Sequence, residues 1–171
     1  MTIASTVSRF LAEAHVEYDI VNHAHTESAA QSALAANVPL HQVAKAIVLK
    51  DRAGKYVMAV VPAHNKLRVR WLSEVVSRDL QLVSELELKD IFQDCELGAV
   101  PALGQAYGID MIWDDELLET DDIYIEAGDH EQLLHMSRDQ FAALMNSYAH
   151  DAISATAEPG LSSRDYDPKP F

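Results

Sequence analysis

The stretch VAKAIVLKDRAGKYVMAVVPA, residues 43–63, constrains the fold more than any other part of the chain. It predicts two apolar strands, near 44–50 and 55–61, joined by a tight turn at DRAGK. Alternation puts Val43, Lys45, Ile47 and Leu49 on one face of the first strand and Ala44, Ala46 and Val48 on the other. Both faces are apolar, so the hairpin belongs in a sheet covered on both sides. Lysine is seldom buried in such a place unless it is paired or put to use. Lys45 is therefore the first candidate functional residue.

The flanking segments mix helices and strands. A helical stripe of Ile3, Val7, Phe10, Leu11 and Ala14 precedes a strand at EYDIVNH. SAAQSALAANV predicts a helix opened by Ser28 and Gln31 at capping-box spacing and closed by Asn37 and Pro39. KLRVRW predicts a strand with Lys66, Arg68 and Arg70 on one face. Helices are expected near 72–78 and 85–92, and strands near 110–113, 122–126 and 131–135. A final helix is expected over SRDQFAALMNS. With no βαβ regularity, the expected class is α+β. One domain spans residues 1–150, and a flexible tail rich in Ser, Pro and Asp is expected over 151–171.

Charge narrows the partners. The net charge is −14, which opposes nonspecific nucleic-acid binding, and no DNA partner is expected. The distribution is polarised. Residues 41–70 hold seven of the thirteen Lys and Arg residues and a single acid, whereas residues 90–137 hold thirteen acids and no Lys or Arg. The basic segment suits phosphates, although a simple solubility pattern would look the same. No apolar run approaches the ~20 residues of a membrane span, and no signal-like start is present. With one cysteine, Cys95, and hence no internal disulfide, a cytoplasmic protein is expected, without a membrane partner. Acidic neighbours mark Cys95 as packing rather than a nucleophile.

Familiar catalytic templates are missing: there is no G-x-S-x-G, Walker loop, C-x-x-C or H-E-x-x-H. His23 and His25 lack a third ligand at sensible spacing, and WDDELLETDD lacks the form of a calcium loop. No metal and no cofactor are expected, and the acidic stretch is taken as solvated surface. Three features remain. Lys45 offers a counter-charge for a phosphate or an oxyanion. The loop GAVPALG, with Gly98, Pro101 and Gly104, lets backbone amides approach a ligand closely. Gly128, Asp129 and His130 form a polar turn after a strand.

Taken in order, HTES, VAKAIVLK, VVPA, GAVPALG and IEAGDH resemble the YbaK/ProX family of aminoacyl-tRNA deacylases, over roughly residues 1–148. The same domain is the editing insertion of bacterial prolyl-tRNA synthetases. The resemblance implies a mixed, partly barrel-like β-sheet with surrounding helices. It implies a trans-editing aminoacyl-tRNA deacylase, an enzyme that hydrolyses the ester of a mischarged tRNA and has that tRNA and a synthetase as partners. By the same resemblance, Lys45 contacts the phosphate or ribose of the 3′-terminal adenosine, and Gly98 brings backbone amides to the aminoacyl carbonyl. His25, Thr26, Ala46, Ala99, Val100, Pro101, Gly128, Asp129 and His130 border the substrate. Lys66, Arg68 and Arg70 are expected to track tRNA phosphates. Two positions depart from the family pattern: Pro101 follows Gly98 by three residues instead of four, and Ala46 stands where Thr or Asn is common.

Such chemistry needs no triad. An aminoacyl ester is already activated, so a held carbonyl and one admitted water suffice. In family members the tRNA 2′-hydroxyl or a substrate thiol supplies much of the reactivity. The alternatives are a non-catalytic ligand-binding or regulatory module on the same fold and an interaction domain docking through its acidic face.

Overall fold

The computed structural model describes residues 3–156. Helix α1 (Ser5–Glu13) buries Val7 and Leu11 from the expected stripe. Strand β1 (Asp19–Asn22) and helix α2 (Ala29–Ala35) follow, and the Ser28 hydroxyl caps α2 by accepting from the Gln31 amide at 3.2 Å. The hairpin is strand β2 (Val43–Lys50) against strand β3 (Tyr56–Pro62). Its turn is held by Asp51 Oδ1, which accepts from the amides of Ala53 and Lys55, both at 2.9 Å.

Next come strand β4 (Asn65–Leu67), helix α3 (Val69–Val76), strand β5 (Gln81–Leu82) and helix α4 (Glu85–Ile91). The second half contributes strands β6 (Asp110–Asp114), β7 (Asp122–Glu126) and β8 (Gln132–Ser137), helix α5 (Arg138–Met145), and strands β9 (Ala149–Asp151) and β10 (Ser154–Thr156).

The main sheet is mixed, in the order β1-β8-β7-β2-β3-β6-β9, with β5 also paired to β2, and β10 pairs β4 in a small second sheet. The hairpin lies at its centre and is covered on both faces, as alternation requires. Ala44, Val48, Met58 and Val60 join one core with α1 and Trp113, while Leu49, Val57, Ala59 and Val61 join another with Leu72 and Ile153. An α+β fold with a large mixed sheet and surrounding helices is thus present.

Strand β2 has uneven neighbours. Along one edge β3 pairs with it from Ala44 to Lys50. On its other edge, β7 takes only Val43 and Ala44, and β5 takes only Leu49 and Lys50. Lys45, Ala46 and Ile47 therefore lie in a gap between two short ladders, and all three are half-buried.

Two expectations need correction. KLRVRW is not one strand: β4 stops at Leu67, and Val69, Leu72 and Ser73 are buried at helical spacing in α3. Lys66, Arg68 and Arg70 consequently share no strand face. Residues 151–156, expected in the tail, belong to the fold, because the Asp114 carboxylate accepts from the amides of Ile153 at 3.0 Å and Ser154 at 2.9 Å. Asp114 is itself buried, so WDDELLETDD is not solvated throughout. The rest of the expected tail, residues 157–171, lies outside the described residues.

Candidate active site

The gap beside β2 opens into a cavity of about 530 Å³. Lys45, Ala46 and Ile47 form its strand wall, Glu27 to Ala30 the start of α2, and Gly98 and Val100 the glycine loop. Ala44, Val48, Val83 and Leu88 supply apolar surface, and Glu126, at the end of β7, is a further lining residue. Burial, and then the nearby Lys66 charge, lowers the Lys45 pKa below the ordinary lysine value. No ion pair neutralises Lys45 among the described residues.

Gly98 is held between the Glu27 carbonyl and the His130 ring. Its φ is +80°, and a Cβ there would stand 2.9 Å from Glu27 O and 3.2 Å from His130 Cε1. The His130 ring donates from Nε2 to the Leu97 carbonyl, which fixes the start of the loop. Ala99 and Pro101 are buried and lie behind the cavity wall, and the Ala99 amide is engaged with the Glu96 carbonyl at 3.1 Å. Gly98 and Val100 are therefore the loop residues that meet the cavity.

The remaining candidates frame the site. Thr26 is buried; its amide donates to the His130 carbonyl at 3.1 Å, and its hydroxyl lies 2.7 Å from that of Ser32. The exposed His25 ring stands 5.7 Å from that of His130 and 3.6 Å from Glu131. Asp129 Oδ1 accepts from the amides of Glu131 and Gln132, both at 3.0 Å, and so builds the turn. At Gly128, φ +109°, a Cβ would press to 3.0 Å on Ala4 Cβ and 3.2 Å on Cys95 Sγ. Burial pushes the Cys95 thiol up to about 12, which makes it a poor nucleophile.

Among the three basic candidates, only Lys66 is electrostatically coupled to Lys45. It is exposed on β4. Arg68 lies at the head of α3 with its guanidinium 5.0 Å above the Trp71 ring, and Arg70 reaches Glu74 at 3.7 Å on the same helix.

Sequence reasoning missed Glu126. Its side chain is 3 % exposed, and both carboxylate oxygens are closed off from solvent, with the Ser32 hydroxyl as their hydrogen-bonding neighbour. Burial raises its pKa to about 7; the Ser32 hydroxyl opposes the rise and the Asp129 charge adds to it. The available signal was an acid at the inner end of an apolar strand, DIYIE.

On this α+β domain, a gap in the mixed sheet at Lys45, the glycine loop and the start of α2 together line one cavity. The chain belongs to the aminoacyl-tRNA editing domain family, whose model matches residues 23–144. No curated protein matches it in sequence. Solved structures share the fold. A protein described as "hypothetical protein APE2540" superposes with a TM-score of 0.77 at 19% identity, covering 88% of this chain and 100% of that one. A "putative trans-editing enzyme for prolyl tRNA synthetase" gives 0.74 at 20% identity, covering 90% and 97%. A "putative signal transduction protein" from Marinobacter aquaeolei VT8 gives 0.74 at 17% identity, covering 95% of this chain and 34% of that longer one.

Proposed function

We propose that the protein is a trans-editing deacylase that hydrolyses the ester between a wrong amino acid and its tRNA. The observation that carries this reading is the cavity itself, where a lysine with no ion pair among the described residues and a glycine with positive φ meet at the gap beside β2. Lys45 holds the 3′-terminal adenosine through phosphate or ribose. The ester carbonyl then lies against the loop at Gly98 and Val100, whose backbone supports the developing oxyanion. Water attacks the carbonyl carbon and the ester C–O bond breaks. The acyl group leaves as the free amino acid, and the ribose oxygen recovers a proton.

No nucleophile–base pair is needed, because orientation and exclusion of bulk water do most of the work on an activated ester. The apolar wall of Ala44, Val48, Val83 and Leu88 limits the size of the accepted amino acid. A deacylation screen over a panel of mischarged tRNAs tests the reading, which requires at least one to be hydrolysed above the spontaneous rate. The second reading, a ligand-binding module without turnover, draws on the similarity to one third of a longer chain described as a signal transduction protein. It requires ligand binding without ester hydrolysis.

A further inference from the structure

We infer that the main-chain N–H of Ala46 is a positioning donor of the site: it points into the gap beside β2 and hydrogen-bonds the acyl carbonyl of the ligand. The inference rests on the deacylase reading of the same cavity and adds the group that fixes the ester from the strand side.

The direction of this N–H follows from the hairpin. In an antiparallel pair, residues that exchange main-chain hydrogen bonds with the partner strand alternate with residues that turn their N–H and C=O the other way. Ala44 stands opposite Pro62, which has no N–H, and the Ala63 amide donates to the Val43 carbonyl at 2.8 Å. Val43, Lys45, Ile47 and Leu49 therefore turn their main-chain groups to β3. Ala44, Ala46 and Val48 turn theirs to the opposite edge, where the Val83 amide meets the Val48 carbonyl at 3.1 Å.

On that edge the parallel ladder with β7 ends at Ala44 and Ile125. A bond from the Ala46 N–H to the Glu126 carbonyl would pair Lys45 with Glu126, and the ladder holds no such pair. Pairing with β5 begins only at Leu49. Ala46 thus stands where the sheet splits, and its N–H has no acceptor among the described residues. It is also half-buried, in the wall of the cavity. A main-chain donor withdrawn from water normally has a partner, and a ligand carbonyl seated in the gap supplies one.

The glycine loop makes this donor matter. There the Ala99 amide is engaged with the Glu96 carbonyl at 3.1 Å, and Pro101 has no N–H. The strand donor, by contrast, is held in place by the β3 ladder and needs no reorganisation to meet a developing oxyanion. It also works without a polar side chain, which Ala46 lacks.

The test pairs a main-chain change with a change in the ligand. Replacing Ala46 by L-lactate exchanges its N–H for an ester oxygen and keeps the side chain. Replacing Ile47 by its α-hydroxy acid removes an N–H that belongs to the β3 ladder instead. The probes are 3′-(L-alanylamino)-3′-deoxyadenosine and its reduced analogue, with a methylene in place of the carbonyl, titrated calorimetrically into the full chain. The lactate variant is expected to bind the carbonyl probe at least ~5-fold more weakly than the wild type and the reduced probe equally well. Ala46→Pro, which lacks the same N–H at an unpaired strand edge, is expected to reproduce that loss. The Ile47 variant is expected to melt earlier and to keep the wild-type affinities. No binding of the carbonyl probe by the wild type, undiminished binding by the lactate and proline variants, or equal losses for both probes would overturn the inference. An equal loss in the Ile47 variant would do the same. If the coupling is found but no mischarged tRNA is hydrolysed, the deacylase reading fails and the Ala46 donor stands. If hydrolysis proceeds without the coupling, the reverse holds.

Discussion

Gly98 and His130 occupy one another's space: the imidazole stands where a side chain at position 98 would have to go, 3.2 Å from the site of its Cβ. The opposite side is closed by the Glu27 carbonyl at 2.9 Å, which is backbone and cannot rotate away. A glycine kept only for the approach of a substrate carbonyl would make Gly98→Val harm activity more than stability. The geometry adds a packing reason. Gly98→Ala is expected to lower stability by about 1–3 kcal/mol, from the positive φ and the clash together, and to lower deacylation as well. Urea unfolding beside the deacylation rate checks this, and undiminished stability would show that the loop has room.

Asp114 ties the last strand to the sheet. Asp114→Ala removes the acceptor for the amides of Ile153 and Ser154 and for the Ser154 hydroxyl at 2.6 Å. The expected cost is at least about 2 kcal/mol, since the Ile153 amide would be left buried and unpaired. Hydrogen exchange at residues 153 and 154 should accelerate before that of the β2–β3 hairpin.

The basic residues separate in a salt titration. Lys66 lies close enough to Lys45 to depress its pKa, whereas Arg70 is directed to Glu74. Lys66→Gln is expected to reduce the log–log salt slope of tRNA binding by about 0.7, the value for one phosphate of a single strand. Arg70→Gln should leave the slope as it is. Equal effects from the two variants would return the whole segment to phosphate tracking.

Glu126 makes stability depend on pH. Its folded pKa, about 7, exceeds the ordinary value of 4.5. The native state therefore holds the proton more tightly than the unfolded chain, and this contribution to stability is full below pH 4.5. It falls as pH rises to about 7 and is then absent, a change of about 3 kcal/mol at most. Glu126→Gln should flatten that part of the profile in chemical denaturation at pH 4.5, 6 and 8. An unchanged profile would mean that other groups set it.

How much of this was legible in the sequence follows from where each signal lies. Lys45 and the hairpin were legible because a charge broke a local apolar alternation. Gly98 was legible as a glycine within an ordered set of motifs. Arg68 and Arg70 were misplaced because alternation and helical period both fit six residues, and the choice was made by burial of Val69, Leu72 and Ser73. Residues 151–156 read as tail because their anchor, Asp114, is distant in sequence. The burial of Glu126 is likewise tertiary: it arises from the packing of β7 against β2.

The most direct measurement is the single-turnover deacylation rate of mischarged tRNA by the wild type and by Lys45→Ala, with near-ultraviolet circular dichroism confirming the fold of each. Removing an ammonium that holds the acceptor end should slow the best substrate at least ~10-fold, about 1.4 kcal/mol of transition-state stabilisation. Stability should not fall, because a half-buried ammonium with no ion pair among the described residues is removed along with its desolvation cost. A folded Lys45→Ala variant with the wild-type rate, or a wild type that hydrolyses no mischarged tRNA, would contradict the assignment of this cavity as an editing site.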